Sequence, residues 1–107
     1  MAHVAEVETL PGPRVEDLRL EAVLQALGDP IRLTIVRALS DTPGGQRACG
    51  TFGLPVAKST ASHHFRVLRE AGVIHQRAVG RERLTELRRD DLEARFPGLL
   101  VSIIGAA

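Results

Sequence analysis

Lys58-Ser59-Thr60-Ala61-Ser62-His63-His64-Phe65-Arg66-Val67-Leu68-Arg69-Glu70-Ala71-Gly72 is the stretch whose pattern decides the fold. Wound as an α-helix at about 100° per residue, it puts Ala61, His64, Phe65, Leu68 and Ala71 on one side and Ser59, Ser62, His63 and Arg66 on the other. Gly72 supplies the helix stop. An apolar rear with a front of small polar and basic groups suits a helix that rests on a core and faces the groove of duplex DNA.

Downstream, residues 73–79 and 83–87 read as two strands joined by Gly80-Arg81-Glu82, a β-hairpin with a basic tip. A helix followed by such a hairpin is the pattern of a winged helix-turn-helix, mostly α with a small β-hairpin wing. Upstream, Gly50, Gly53 and Pro55 interrupt the chain. There the sequence predicts a short helix over residues 47–52, then a turn over residues 53–57 whose Leu54 and Val56 pack beneath the long helix.

Toward the amino terminus, Leu20, Val23, Leu24 and Leu27 follow an i, i+3, i+4, i+7 rule, with Val15, Leu18 and Ala22 widening the stripe, so a helix is expected over residues 15–27. Gly28-Asp29-Pro30 then punctuates the chain, Asp29 as a cap and Pro30 at a first helical position. The helix that follows buries Ile31, Ile35, Val36 and Leu39 and ends in the Gly/Pro-rich run 40–45. Residues 1–14 lack periodicity and contain Pro11-Gly12-Pro13, which predicts a flexible arm ahead of a winged-helix domain over residues 15–107. Near the carboxyl end, Leu99, Leu100, Ile103 and Ile104 form an apolar helical edge. Packing the first and last helices against a symmetry mate would remove that edge from water, whereas folding back on its own core is the alternative.

The chain has 107 residues, enough for one modest core and too few for a sizeable enzyme cleft. With three Phe and no Trp or Tyr it offers few rings for stacking on single-stranded bases, so duplex DNA fits better than RNA. Net charge is only +1, but residues 58–89 carry Lys58 and seven arginines against three glutamates, a local net of +5. The basic stripe therefore coincides with the long helix and the hairpin. Glu6 and Glu8 stand where a signal peptide would need basic residues, the apolar tail is far short of a membrane span, and a single Cys forms no intrachain disulfide. A cytoplasmic protein is expected.

Three segments in order, Leu27-Gly28-Asp29-Pro30-Ile31-Arg32-Leu33-Thr34-Ile35-Val36-Arg37-Ala38-Leu39, then Ser59-Thr60-Ala61-Ser62-His63-His64-Phe65, then Leu68-Arg69-Glu70-Ala71-Gly72-Val73-Ile74, resemble the ArsR/SmtB family of bacterial winged-helix repressors. The resemblance implies a homodimer that binds a palindromic operator and releases it when an effector binds. Metal sensors of that family carry a Cys-x-Cys pair where this chain has Arg47-Ala48-Cys49-Gly50-Thr51, and a terminal Asp/His site where residues 90–97 contain no His. A lone thiolate cannot enclose zinc, so neither a metal nor a cofactor is expected and the effector is left open.

The residues expected to contact DNA are Ser59, Thr60, Ser62, His63 and Arg66 from the helix, with Lys58, Arg77, Arg81 and Arg83 holding the phosphate backbone. His64, on the apolar side, is expected to be packed and hydrogen-bonded. Cys49, beside Arg47, is a candidate redox sensor. Cys49 with His63 or His64 could imitate a nucleophile and base, but no oxyanion device or phosphate-binding loop accompanies them, so no enzyme is expected. The alternative to a DNA-binding regulator is a winged-helix module used only for protein contacts.

Overall fold

The computed structural model describes residues 7–106, in the order β1 (Val7–Thr9), α1 (Leu20–Leu27), α2 (Pro30–Asp41), β2 (Gln46–Ala48), α3 (Lys58–Ala71), β3 (Ile74–Val79), β4 (Glu82–Leu87), α4 (Arg89–Arg95) and α5 (Leu99–Ala106), with short 3-10 turns at Val15–Asp17 and Cys49–Thr51. The strands form one antiparallel sheet in the order β1-β3-β4-β2. One core joins the helices to it: Val23 and Leu27 from α1, Ile35 and Leu39 from α2, Phe65 and Leu68 from α3, Ile74 and Leu87 from the sheet, and Leu92 and Leu100 from the last two helices.

The quoted stretch is α3 in full, and Gly72 ends it in the left-handed conformation at φ 85°. Its N–H bonds the Arg69 carbonyl at 3.0 Å and the N–H of Val73 reaches back to Leu68 at 2.9 Å, which satisfies two terminal carbonyls. Asp29 caps α2 as expected, its carboxylate accepting from the N–H groups of Ile31 at 2.9 Å and Arg32 at 3.0 Å. The Arg32 amide holds this carboxyl below its ordinary titration range. Asp29→Ala is expected to cost about 1 kcal/mol in urea unfolding at neutral pH. Because the folded value is the lower one, the ionised cap's share of stability is full above the unfolded carboxyl's value of about 3.9 and fades as pH falls through the folded value.

Three expectations are corrected. The helix expected over residues 15–27 begins only at Leu20, because Leu18 is extended and buried under the end of α3. Arg95 of α4 donates to the carbonyls of Val15 (3.1 Å), Glu16 (2.7 Å) and Leu18 (3.0 Å), supplying partners that a helix would otherwise provide. The short helix expected over residues 47–52 is instead strand β2, paired through Gln46↔Glu86 and Ala48↔Leu84, followed by the Cys49–Thr51 turn. What fixes this connection to α3 is Phe52, whose ring meets that of Phe65 edge-on at 5.2 Å.

The third correction concerns the expected flexible arm, of which residues 1–6 lie outside the described residues. Residues 7–14 are tied down: Val7–Thr9 pairs with β3, Leu10 N–H bonds the Gln76 carbonyl at 3.0 Å, Arg69 donates to the Pro11 carbonyl at 3.1 Å and Arg88 to that of Pro13 at 2.6 Å. The hairpin tip is the two-residue turn Gly80-Arg81, with Glu82 already in β4. At the carboxyl end Leu100 enters the core and Leu99, Ile103 and Ile104 pack half-buried against it. Val101 is left 65% exposed.

Candidate nucleic-acid interface

Phe65 and Leu68 anchor α3 so firmly, at 5% and 0% exposure, that the opposite side of the helix must face outward. Lys58, Ser59, Thr60, Ser62, His63 and Arg66 are all exposed there. Ala57, at the cap position, makes no side-chain cap bond, so the first N–H groups of α3 stay open to an acceptor such as a phosphate. Arg66 Nε lies 3.9 Å from Glu70 with both side chains mostly exposed, a pairing too weak to withdraw the guanidinium from other partners.

The wing arginines divide. Strand alternation places Ile74, Gln76 and Ala78 on the face that α3 covers, opposite Leu87, Thr85 and Arg83 respectively. Arg83 therefore projects from the side on which α3 lies, beyond the end of the core, and Arg81 stands exposed at the tip. Arg77, opposite Leu84, belongs to the other face, where it is half-buried in a shallow groove with Thr9, His75 and Glu86. His75 on that face lies 3.8 Å from Asp91, and burial, followed by the charge of Arg88, holds its imidazole below the ordinary value against the opposing pull of Asp91 and Glu86.

His64 is packed, with 11% of its side chain exposed, and its Nδ1 lies 3.1 Å from Arg32 Nη1. Cys49 is half-buried at the foot of the wing. Gln76 Nε2 donates to its sulfur at 3.1 Å and to Thr85 Oγ1 at 3.2 Å, while Gln76 Oε1 accepts from Arg69 of α3 at 2.9 Å. The sulfur and the Thr85 hydroxyl are 3.2 Å apart. Gln76 thus couples wing to helix, and its place in line with Ile74 on a period of two is the sequence signal that would have put it inside. Among the described residues, no group of three or more His, Cys, Asp or Glu could hold a metal ion, and no helix is long and apolar enough to cross a membrane.

A buried-backed helix with a polar front, followed by a two-stranded wing with an arginine tip, defines a DNA-binding winged helix-turn-helix regulator. Residues 29–76 match the family described as bacterial regulatory protein, arsR family. Over 83 residues the chain is 37% identical to the uncharacterized HTH-type transcriptional regulator YceK of Bacillus subtilis (strain 168), covering 76% of this chain and 82% of that protein. The protein belongs to the ArsR family of transcriptional regulators.

Proposed function

We propose that the protein is a cytoplasmic homodimeric repressor that binds a palindromic operator with one α3 from each subunit and releases it when an effector binds. The observation that carries this reading is the segregation on α3, where every exposed side chain in its first two turns is polar or basic. Ser59, Thr60, Ser62, His63 and Arg66 read base edges or adjoining phosphates, and Lys58, Arg81 and Arg83 hold the backbone. Arg77, on the far face of the wing, takes a lesser part.

A dimer is supported by the large apolar side chains left in water on α1 and α5: Leu20 at 44%, Leu24 at 47% and Val101 at 65% exposure. Completing their burial against a symmetry mate would stabilise by about 1–2 kcal/mol per side chain, in proportion to the area still exposed. Such an interface sets the separation of the two α3 helices, which must enter successive major grooves about 34 Å apart. An effector that alters this separation turns binding off. No resident metal or cofactor is part of the proposal.

The experiment is binding of the purified protein to the DNA upstream of its own gene against a scrambled duplex at fixed salt, with and without a peroxide. Specific binding is expected. No preference at any salt would favour a module that contacts only proteins. Release by peroxide that Cys49→Ser abolishes would assign the control to Cys49, whereas indifference to peroxide would place it elsewhere. Reversing charge at Arg81 and Arg83 is expected to weaken binding to both duplexes alike and to flatten the log–log salt dependence by about 0.9 for each phosphate no longer neutralised. The same change at Arg77 should do much less, and an equal effect would refute the assignment of Arg77 to the far face.

A further inference from the structure

We infer that Arg32 is a positioning residue for DNA binding: it seats α3 through a bond to His64 that only the neutral imidazole can accept, so protonation of His64 weakens DNA binding. The inference rests on the reading of α3 as the helix that enters the groove.

Arg32 lies in the first turn of α2, yet its guanidinium serves other elements. Nε donates to the Ala26 carbonyl at 2.6 Å and Nη2 points at that of Gln25 at 3.5 Å, both at the carbonyl end of α1, where a positive charge is favoured. Nη1 reaches His64 Nδ1 on α3 at 3.1 Å. One side chain therefore joins three helices. An arginine has no lone pair to offer and does not lose its proton, so this contact has one sense: Arg32 donates, Nδ1 accepts, and the His64 proton sits on Nε2.

Protonation removes that acceptor. An N–H on Nδ1 would face the Arg32 N–H directly, two donors with nothing between them. The other charged group facing the ring from the α1–α2 corner is Asp29, whose carboxylate lies 3.8 Å from Nδ1 and is already engaged by the Ile31 and Arg32 amides. On its own helix the ring faces His63, with centroids 5.8 Å apart, and α1 reaches the cluster through the two carbonyls on Arg32. A charged His64 must leave Arg32 and move toward Asp29. Because the ring is nearly enclosed, that movement carries the backbone of α3, and with it Ser62, His63 and Arg66 on the opposite side.

The test is affinity for the upstream DNA at fixed ionic strength, from about pH 8 to about pH 5.5, for the wild type, His64→Asn, Arg32→Lys and Arg66→Ala. An asparagine Oδ1 stands near the place of Nδ1 and accepts the same bond without titrating. Both proteins keep His63, so the ratio of wild type to His64→Asn isolates the effect of position 64. It is expected to be near one at the upper pH and to fall about tenfold at the lower, the loss of one charge-assisted hydrogen bond.

Arg32→Lys, whose single ammonium cannot span both Ala26 and His64, is expected to bind about tenfold more weakly at the upper pH and to lose the pH-dependent ratio. A ratio constant with pH, while Arg66→Ala still loses specific binding, overturns this inference alone. Unchanged specific binding by Arg66→Ala overturns the groove-helix reading and this inference with it. Long-range imidazole 1H–15N spectra of the wild type decide the point even if a variant fails to fold. A proton on Nδ1 at the upper pH overturns the inference, and one on Nε2 supports it.

Discussion

Gly72→Ala is expected to lower the thermal midpoint of unfolding by about 15 °C, more than alanine at any other glycine of the described chain. Two costs combine. At φ 85° any side chain is strained by about 1–2 kcal/mol. A Cβ at this position would also run into Leu18 Cδ2 and Pro13 Cγ, and overpacking of that kind adds about 1–3 kcal/mol. Gly98 separates the two, since it has φ 78° and nothing within 4 Å of its would-be Cβ. Gly98→Ala should carry the backbone cost alone and shift the midpoint less than half as far. Equal shifts would show that Leu18 and Pro13 do not pack against Gly72 as described.

The double variant His63→Ala, Arg66→Ala is expected to bind its operator about a hundredfold more weakly while its affinity for scrambled DNA changes little. Each side chain is exposed on the outer side of α3 and has no strong partner of its own, so removing it leaves no buried group unsatisfied. Stability and oligomeric state should therefore hold. Removing the group that reads a base edge costs about 1–3 kcal/mol of discrimination at each position, and the two combine toward the stated factor. Operator affinity unchanged in a gel-shift or anisotropy titration would remove α3 from the groove altogether.

What is legible in the sequence follows the range of the forces involved. The period of Phe65, Leu68 and Ala71, the Asp29-Pro30 cap and the Gly72 stop act within a few residues, and each is where the pattern puts it. The exposed side of α3 is legible for the same reason, being the complement of its buried side. Leu18 misleads because its apolar character fits a helical stripe, and only Arg95, far along the chain, explains why the backbone there is extended. The strand at Gln46–Ala48 is hidden because its partner is β4, and no local alternation announces a half-buried edge strand of three residues. The division between Arg77 and Arg83 is hidden too, although they lie an even number of positions apart, since the turn at Gly80-Arg81 sets the register between them.

The arginines that hold the early backbone have a consequence for how the chain is made. Carbonyls between Pro11 and Leu18 find their partners in Arg69, Arg88 and Arg95, 58 to 80 positions further on. On a ribosome, where synthesis runs from the amino end, the stretch emerges well before these arginines, and the carbonyls that Arg95 answers lack that side-chain partner until α4 has cleared the exit tunnel. This segment is thus made ahead of α1, yet it cannot complete its native bonding until α4 has been made.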